Sequence, residues 1–294
     1  MTARQIPILA GLAEIADRYD GYILDLWGTI HDGIAPLPGA VECLSELKRR
    51  GKRVLILSNA PRRSQLIMDR IAEMGITRAH YDDVLSSGEA AYLALRDRND
   101  DFHRALGRKC FFMGPPRDDS AIAGLDLQLV AEVEDCDFIA NIGTFKRADT
   151  IEQYETLLRA AAKSKKPMIC ANPDLIVLRG AEKELCAGAV AARYEEIGGV
   201  VHYHGKPHVP IYAESFRRLG VADRSRVIGV GDALRTDVAG ARAAGVDSIF
   251  IASSGIYAER LGIKELAPPP ADGLARLYQE DGIAPTYALR VFNW

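Results

Sequence analysis

The sequence predicts an α/β protein: a doubly wound, Rossmann-like parallel sheet with a second α/β unit inserted into it. Three observations lead there. Runs such as "YILD", "RVLILSN" and "SRVIGVGD" are apolar almost throughout and have strand length, as expected of strands buried on both faces. Helical patterns alternate with them, the order that a parallel sheet with covered faces requires. The alternation then stops at the charged stretch "RDRNDDFHRALG", starts afresh, and returns near residue 200.

Each element has its own signal. "YILD" is a strand, and "LPGAVECLSELKRRG" is a helix in which Val41, Leu44 and Leu47 share a face, the last turn is basic and Gly51 stops it. "RVLILSN" is the next strand, "RSQLIMDRIAEMG" a glycine-ended helix, and "DDVLSSGEAAYLAL" a strand running into a helix. In the inserted unit, "RKCFFMG", "CDFIANI" and "KPMICAN" are strands, with Phe111, Phe112 and Phe138 as core. "DTIEQYETLLRAAAKS" is a helix with Asp149 as expected N-cap and Glu152 three residues on. "LCAGAVAARYEEIGG" is a helix closed by Gly198 and Gly199. The last part reads as strand and turn in "VVHYHGKP", helix in "VPIYAESFRRLG", strand in "SRVIGVGD", short helix in "DVAGARAAG" and strand in "DSIFIAS". Beyond Tyr257 the pattern weakens, and "APTYALRVFNW" is expected to pack on the core. The expected division is therefore a core of residues 1–100 and 200–294 with an insert at 101–199.

Composition narrows the function classes. The 294 residues are 48% hydrophobic and 26% charged, the profile of a soluble globular protein. A net charge of −3 gives no general attraction to nucleic acid or anionic membrane, so neither partner is expected. The five cysteines, Cys43, Cys110, Cys136, Cys170 and Cys186, form no C-x-x-C pair and are odd in number. They read as reduced, buried thiols of a cytoplasmic protein. The N-terminal apolar run is short and interrupted by Glu14, Asp17 and Asp20, unlike a signal peptide, and no stretch has the length of a membrane span.

Four strand ends carry polar groups: Asp25 in "ILDLWGT", Ser58 and Asn59 in "LILSNA", Lys206 in "YHGKP", and Asp232 with Asp237 in "VIGVGDALRTD". The carboxyl edge of an open parallel sheet is where ligands bind. An acid, a hydroxyl, a lysine and an acid pair delivered to one edge suit phosphoryl transfer. A carboxylate attacks phosphorus and splits one difficult step into two. A divalent cation on oxygen ligands offsets the crowded negative charge, and lysine and hydroxyl donors meet the charge that develops.

The order D-x-x-G-T, S-N, G-K-P, G-D-x-x-x-T-D resembles the haloacid dehalogenase (HAD) superfamily. The insert, with "ANPD" and "CAGAV", is similar to subclass IIA, the branch of pyridoxal-phosphate, p-nitrophenyl-phosphate and sugar or nucleotide phosphatases. The resemblance covers nearly the whole chain. It implies a HAD core with a C2-type α/β cap that sets substrate choice, and Mg²⁺ as cofactor. It implies Asp25 as nucleophile and metal ligand, the backbone carbonyl of Trp27 and the Asp232 carboxylate as further ligands, and Asp237 in support. Ser58 and Asn59 would hold the phosphoryl group, and Lys206 would neutralise it and orient Asp25. The substrate would be a small phosphorylated metabolite, with Asn172, Asp174 and Arg179 as candidate cap contacts. Caps of this branch often pair, which implies a homodimer through the cap.

Trp27 departs from the pattern. Phosphatases of the superfamily usually carry an aspartate there, which protonates the leaving oxygen and then activates water; indole only donates a hydrogen bond. His31 and Asp32 are the nearby candidates for a replacement acid. Two other readings stay open: a protein that binds a phosphorylated metabolite as sensor or partner without turnover, and a dehalogenase- or phosphonatase-like hydrolase. "GVGD" lacks the third glycine of a dinucleotide fingerprint, since residue 234 is Leu, and "GKP" is no Walker motif. His202 and His204 alternate onto one strand face with His208 nearby, a pattern open to metal binding or simple packing, and Arg62 and Arg63 offer a second anion contact.

Overall fold

The computed structural model describes residues 6–116, 118–179 and 182–294. They form two compact units. One comprises the chain up to Ser58, Ile67–Leu85 and Lys206–Trp294; the other comprises Asn59–Leu66 and Ser86–Gly205.

The first unit is built on a seven-stranded sheet. Its order is Ile8–Leu9, Tyr287–Leu289, Asp247–Ile251, Val227–Gly231, Gly21–Leu24, Arg53–Ser58, Asp83–Ser86. The first six pair in parallel. Its central strands are apolar because helices cover both faces: Tyr22, Leu24, Val54 to Leu57, Ile228 and Ile249 to Ile251 are all 0% exposed. Helix Ala40–Arg49 buries Ala40, Cys43, Leu44 and Leu47, one face at helical spacing, with Lys48 and Arg49 in its last turn. Helix Val209–Leu219 carries its proline in the first turn and ends at Gly220, whose φ of 70° is a left-handed stop.

The order of this sheet has one reversal. From Gly21–Leu24 the chain steps outward through Arg53–Ser58 to Asp83–Ser86. It resumes on the other side with Val227–Gly231 and works outward to Asp247–Ile251 and Tyr287–Leu289. Connections leaving Gly21–Leu24 and Val227–Gly231 therefore diverge, and the crevice beyond their carboxyl ends is where an open α/β sheet takes its ligand.

The second unit has a five-stranded sheet, ordered Val201–Tyr203, Met168–Cys170, Phe138–Asn141, Lys109–Met113, Gln128–Leu129, all parallel. Successive residues feed opposite faces. Phe111, Ile139 and Met168 pack with Tyr154, Leu158, Val190 and Tyr194. Cys110, Phe138 and Ile169 pack with Ala91, Leu95 and Ile122. An antiparallel pair, Ile176–Arg179 with Glu182–Leu185, adds a separate ribbon.

Several elements differ from the sequence expectations. Helix Ser87–Asp97 packs into the second unit through Ala91 and Leu95, and Val201–Tyr203 is an edge strand of that unit's sheet. The units thus change at Ser86 and Lys206, away from residues 100 and 200. The helix expected to start from Asp149 starts from Thr150, whose capping-box partner Gln153 accepts the Thr150 N–H at 2.7 Å. Asp149 is engaged elsewhere, accepting from Lys146 N–H at 2.9 Å and Tyr154 O–H at 2.7 Å. The tail does pack on the core: Tyr287–Leu289 is a strand, and Phe292 is 0% exposed. All five cysteines are buried free thiols. Among the described residues, no helix is long and apolar enough to cross a membrane.

Candidate active site

Asp25 directly follows the Gly21–Leu24 strand. Its N–H donates to Val230 O at 2.8 Å, which extends the pairing by one residue and sets the carboxylate at the carboxyl edge. Asp232 occupies the equivalent place after Val227–Gly231. Lys206, at the start of the returning chain, donates through Nζ to Asp25 Oδ1 at 2.5 Å and to Asp237 Oδ1 at 2.7 Å. Asp237 Oδ2 accepts from Ala233 N–H at 3.0 Å, and Asp232 Oδ2 from Ile256 N–H at 3.0 Å. All four charged groups are buried, none above 8% exposed. Close backbone approach makes room for them. A Cβ at Gly255 would lie 1.9 Å from Asp232 Oδ2, and one at Gly28, where φ is +78°, would lie 2.5 Å from the same oxygen.

The electrostatics are strained towards cations. Asp25, Asp232 and Asp237 each offer an oxygen within 4.8 Å of the others. Burial, then the charges of Asp25 and Asp237, push the Asp232 carboxyl well above the usual range. Burial raises Asp237 to about 6 even though Lys206 pulls it down. Burial alone would lower Lys206, but Asp237 and Asp25 outweigh it and hold the ammonium charged. Three buried carboxylates around one lysine leave a net negative oxygen cluster, the donor set of a hard divalent cation. With both Asp237 oxygens bonded to Lys206 and to backbone, Asp25 and Asp232 are the side chains best placed as ligands.

Trp27 belongs to a flap. Its indole meets His31 edge-on, with ring centroids 5.4 Å apart at 72°. It also covers Gly33, where a Cβ would fall 2.3 Å from the indole. His31 Nδ1 accepts from Gly33 N–H at 2.8 Å, and burial lowers its pKa from 6.5 to about 4, so the imidazole is neutral near pH 7. Asp32 caps the turn, accepting through Oδ1 from Ile34 and Ala35 N–H at 2.8 and 2.9 Å. The Ala35 and Ile34 bonds together outweigh burial and lower its carboxyl pKa, so it holds no proton to give at neutral pH. Neither candidate replacement for the missing acid has an acid's environment.

The flap histidine has a measurable consequence. Below pH 6.5 the unfolded chain takes up a proton at His31 that the native chain refuses until about pH 4. Stability from this group is complete above pH 6.5 and drains away as pH falls through that window. Urea denaturation at pH 7 and pH 5 should therefore show wild type losing about 1–2 kcal/mol more than His31→Asn. Equal losses would mean that His31 is protonated in the native flap.

Ser58 ends its strand at 6% exposure. Asn59 is bound within the second unit: Nδ2 donates to Asp174 Oδ1 at 2.8 Å, and Oδ1 accepts from Ser87 O–H at 3.1 Å. Asn172 Oδ1 accepts from Asp174 N–H at 3.1 Å, at the residue whose carboxylate holds Asn59. Arg179 lies on the Ile176–Arg179 strand, and its side chain is outside the described residues. Arg62 pairs with Asp118 at 2.7 Å, while Arg63 pairs with Glu89 at 2.6 Å and lies over the Tyr92 ring. His208 takes the N-cap position of Val209–Leu219. The sequence reading missed His103, which joins His202 and His204; its signal was Asp100, one helical turn earlier.

A haloacid dehalogenase-like hydrolase family pattern matches residues 22–128, and a HAD-hydrolase-like pattern matches residues 203–276. The chain is 28% identical to a D-glycerol 3-phosphate phosphatase of Mycobacterium tuberculosis, over 84% of this chain and 69% of that protein. A haloacid dehalogenase-like hydrolase from Brucella suis superposes with a TM-score of 0.81 at 29% identity, covering 96% of this chain and 99% of the other. A glycerol phosphate phosphatase from M. tuberculosis, solved with magnesium, superposes with a TM-score of 0.61 at 26% identity, covering 82% and 70%.

Proposed function

Because the chain belongs to the haloacid dehalogenase-like hydrolases, we propose that it cleaves a small phosphomonoester through an aspartyl-phosphate on Asp25, with Mg²⁺ as cofactor. The observation that carries this reading is Lys206 bridging Asp25 and Asp237 beside Asp232, at the reversal of the sheet. The relatives include a D-glycerol 3-phosphate phosphatase and an acid sugar phosphatase, which supports a small alcohol phosphate as substrate class. Related structures hold magnesium or calcium, and the donor set here is oxygen only.

Lys206 fixes the rotation of the Asp25 carboxylate through Oδ1 and stays protonated to meet phosphoryl oxygens. An Asp25 oxygen attacks phosphorus, the bond to the ester oxygen breaks, and that oxygen leaves with its electron pair. Water then attacks the phosphorus of the aspartyl-phosphate, restoring the carboxylate and releasing phosphate. Ser58, buried at the next strand end, would donate to the phosphoryl group. Asp25, Asp232 and the Trp27 carbonyl would hold Mg²⁺, which when bound neutralises charge on the transferring group. Asp237 positions Lys206. Trp27 gives the leaving oxygen no proton, so chemistry is slow unless that oxygen is a good leaving group.

The test is phosphate release from a panel of phosphomonoesters, with Mg²⁺ and with EDTA, on wild type and Asp25→Asn. Metal-dependent release that vanishes in the variant is expected. A second reading rests on Trp27: retention of a phosphorylated metabolite without turnover. It predicts Mg²⁺-dependent thermal stabilisation by ligand and no release from any ester. Release of halide from a haloacid in EDTA would favour a dehalogenase, but the paired acids beside Asp25 argue against metal-free chemistry.

A further inference from the structure

The second unit gathers three imidazoles: His103 on helix Asp101–Ala105, His202 within strand Val201–Tyr203, and His204 just past it. One ligand atom of each lies within 4.8 Å of the other two. The strand pleat explains the pair, since residues two apart point to one face. That pleat is held by pairing with Met168–Cys170 and by the His204 N–H donating to Cys170 O at 2.8 Å. His103 Nε2 and His204 Nε2 are 3.2 Å apart. The rings of His103 and His202 are 4.8 Å apart and nearly perpendicular. Phe102 stacks on His202 at 4.5 Å and 17°, which restrains that ring.

Asp100 stands behind the cluster. His103 Nδ1 lies 2.8 Å from Asp100 Oδ1 and 2.7 Å from Oδ2, so Nδ1 carries the proton and donates it to the carboxylate. The lone pair is then on Nε2, facing His204. A carboxylate behind an imidazole is the arrangement that orients a metal-binding histidine and makes it more basic. His103 is fully buried, while His202 and His204 are partly exposed and open a route for an ion.

We propose that His103, His202 and His204 form a site for Zn²⁺ or a similar borderline divalent ion such as Co²⁺, separate from the carboxylate site. Imidazole nitrogen suits such ions, whereas the carboxylate set suits Mg²⁺, so the two sites sort metals by chemistry. The spacing fits. Tetrahedral zinc with bonds of about 2.0–2.1 Å sets its ligand nitrogens about 3.3 Å apart, and His103 and His204 stand at 3.2 Å. Three histidines leave the fourth position to water. Bound metal would tie helix Asp101–Ala105 to the edge strand of the five-stranded sheet, and so stabilise the second unit.

The experiment is a Co²⁺ titration of the untagged, chelator-stripped full chain, in wild type and in Asp232→Asn. One equivalent of Co²⁺ should develop the visible absorption of tetrahedral nitrogen coordination, equally in both proteins, and Zn²⁺ should bleach it. His202→Gln and His204→Gln should each weaken binding at least about tenfold, by loss of one of three ligands. Asp100→Asn should weaken it about 10–100-fold. Its side chain is 55% exposed, so this variant keeps the test alive if a histidine variant misfolds. Absence of a stoichiometric spectrum in wild type, survival of full affinity in all three variants, or loss of the spectrum in Asp232→Asn would each overturn the proposal.

Discussion

Replacing Trp27 with aspartate is expected to raise phosphate release from alkyl phosphomonoesters such as glycerol phosphate by about 10²–10⁴-fold, the usual worth of a positioned general acid. The gain should be much smaller on p-nitrophenyl phosphate, because nitrophenolate leaves without a proton. The two substrates thus report on the leaving oxygen and not on binding. Trp27→Asn is the control, since it shortens the side chain without adding an acid, and it should leave the substrate ratio near wild type. The variant also gives up the indole's packing against His31 and Gly33, so its melting temperature should fall. Wild-type rates on both substrates in Trp27→Asp would show that protonation of the leaving group does not limit this enzyme.

Lys206→Met is the second large effect. It removes the ammonium that bridges Asp25 and Asp237 and leaves their carboxylates in a buried, like-charged cluster. Breaking a buried pair from one side costs about 3–5 kcal/mol. Urea denaturation at pH 7 should show a loss of that order. The loss should shrink towards pH 5, as the uncompensated carboxylates take up protons that the unfolded chain has not yet bound. Turnover should fall by at least about 10²–10³-fold, as when a donor to developing charge is removed. Adding Asp237→Asn should restore part of the stability and none of the turnover. A Lys206→Met protein that unfolds at the wild-type urea concentration would contradict the buried-pair energetics.

The sheet's central strands were legible because burial on both faces writes itself as an unbroken apolar run, and because each run ends on one polar residue. Asp25 and Asp232 stand out in the chain for that reason, whereas Asp237 lies in the helical segment Leu234–Val238 and Lys206 beyond the strand Val201–Tyr203, and these two join Asp25 only through the fold. Short elements left weaker traces. Ile8–Leu9 is two residues long and Tyr287–Leu289 is three, too short for any periodicity. Thr150 and Asp149 are both good caps, and which one starts the helix depends on Asp149 being occupied by Tyr154, a contact made only after folding. The partners of Asn59 are likewise tertiary: Asp174 lies 115 residues away. His103 was silent because its fellows are about a hundred residues on, and a histidine in a charged stretch looks like surface.

One feature of the fold reaches beyond the finished molecule. Lys206 meets Asp25 across 181 residues, and the whole of the second unit lies between them. At a synthesis rate of roughly 5–20 residues per second, the nascent chain carries Asp25 for about 9–36 s before its counter-ion exists. The second unit can condense on the ribosome in that interval, while the first waits for strand Val227–Gly231 to enter the middle of its sheet. Reactive chemistry is therefore the last thing the polypeptide acquires, and a ribosome that stalls before residue 206 releases a fragment that carries the nucleophile's carboxylate without the lysine that aims it.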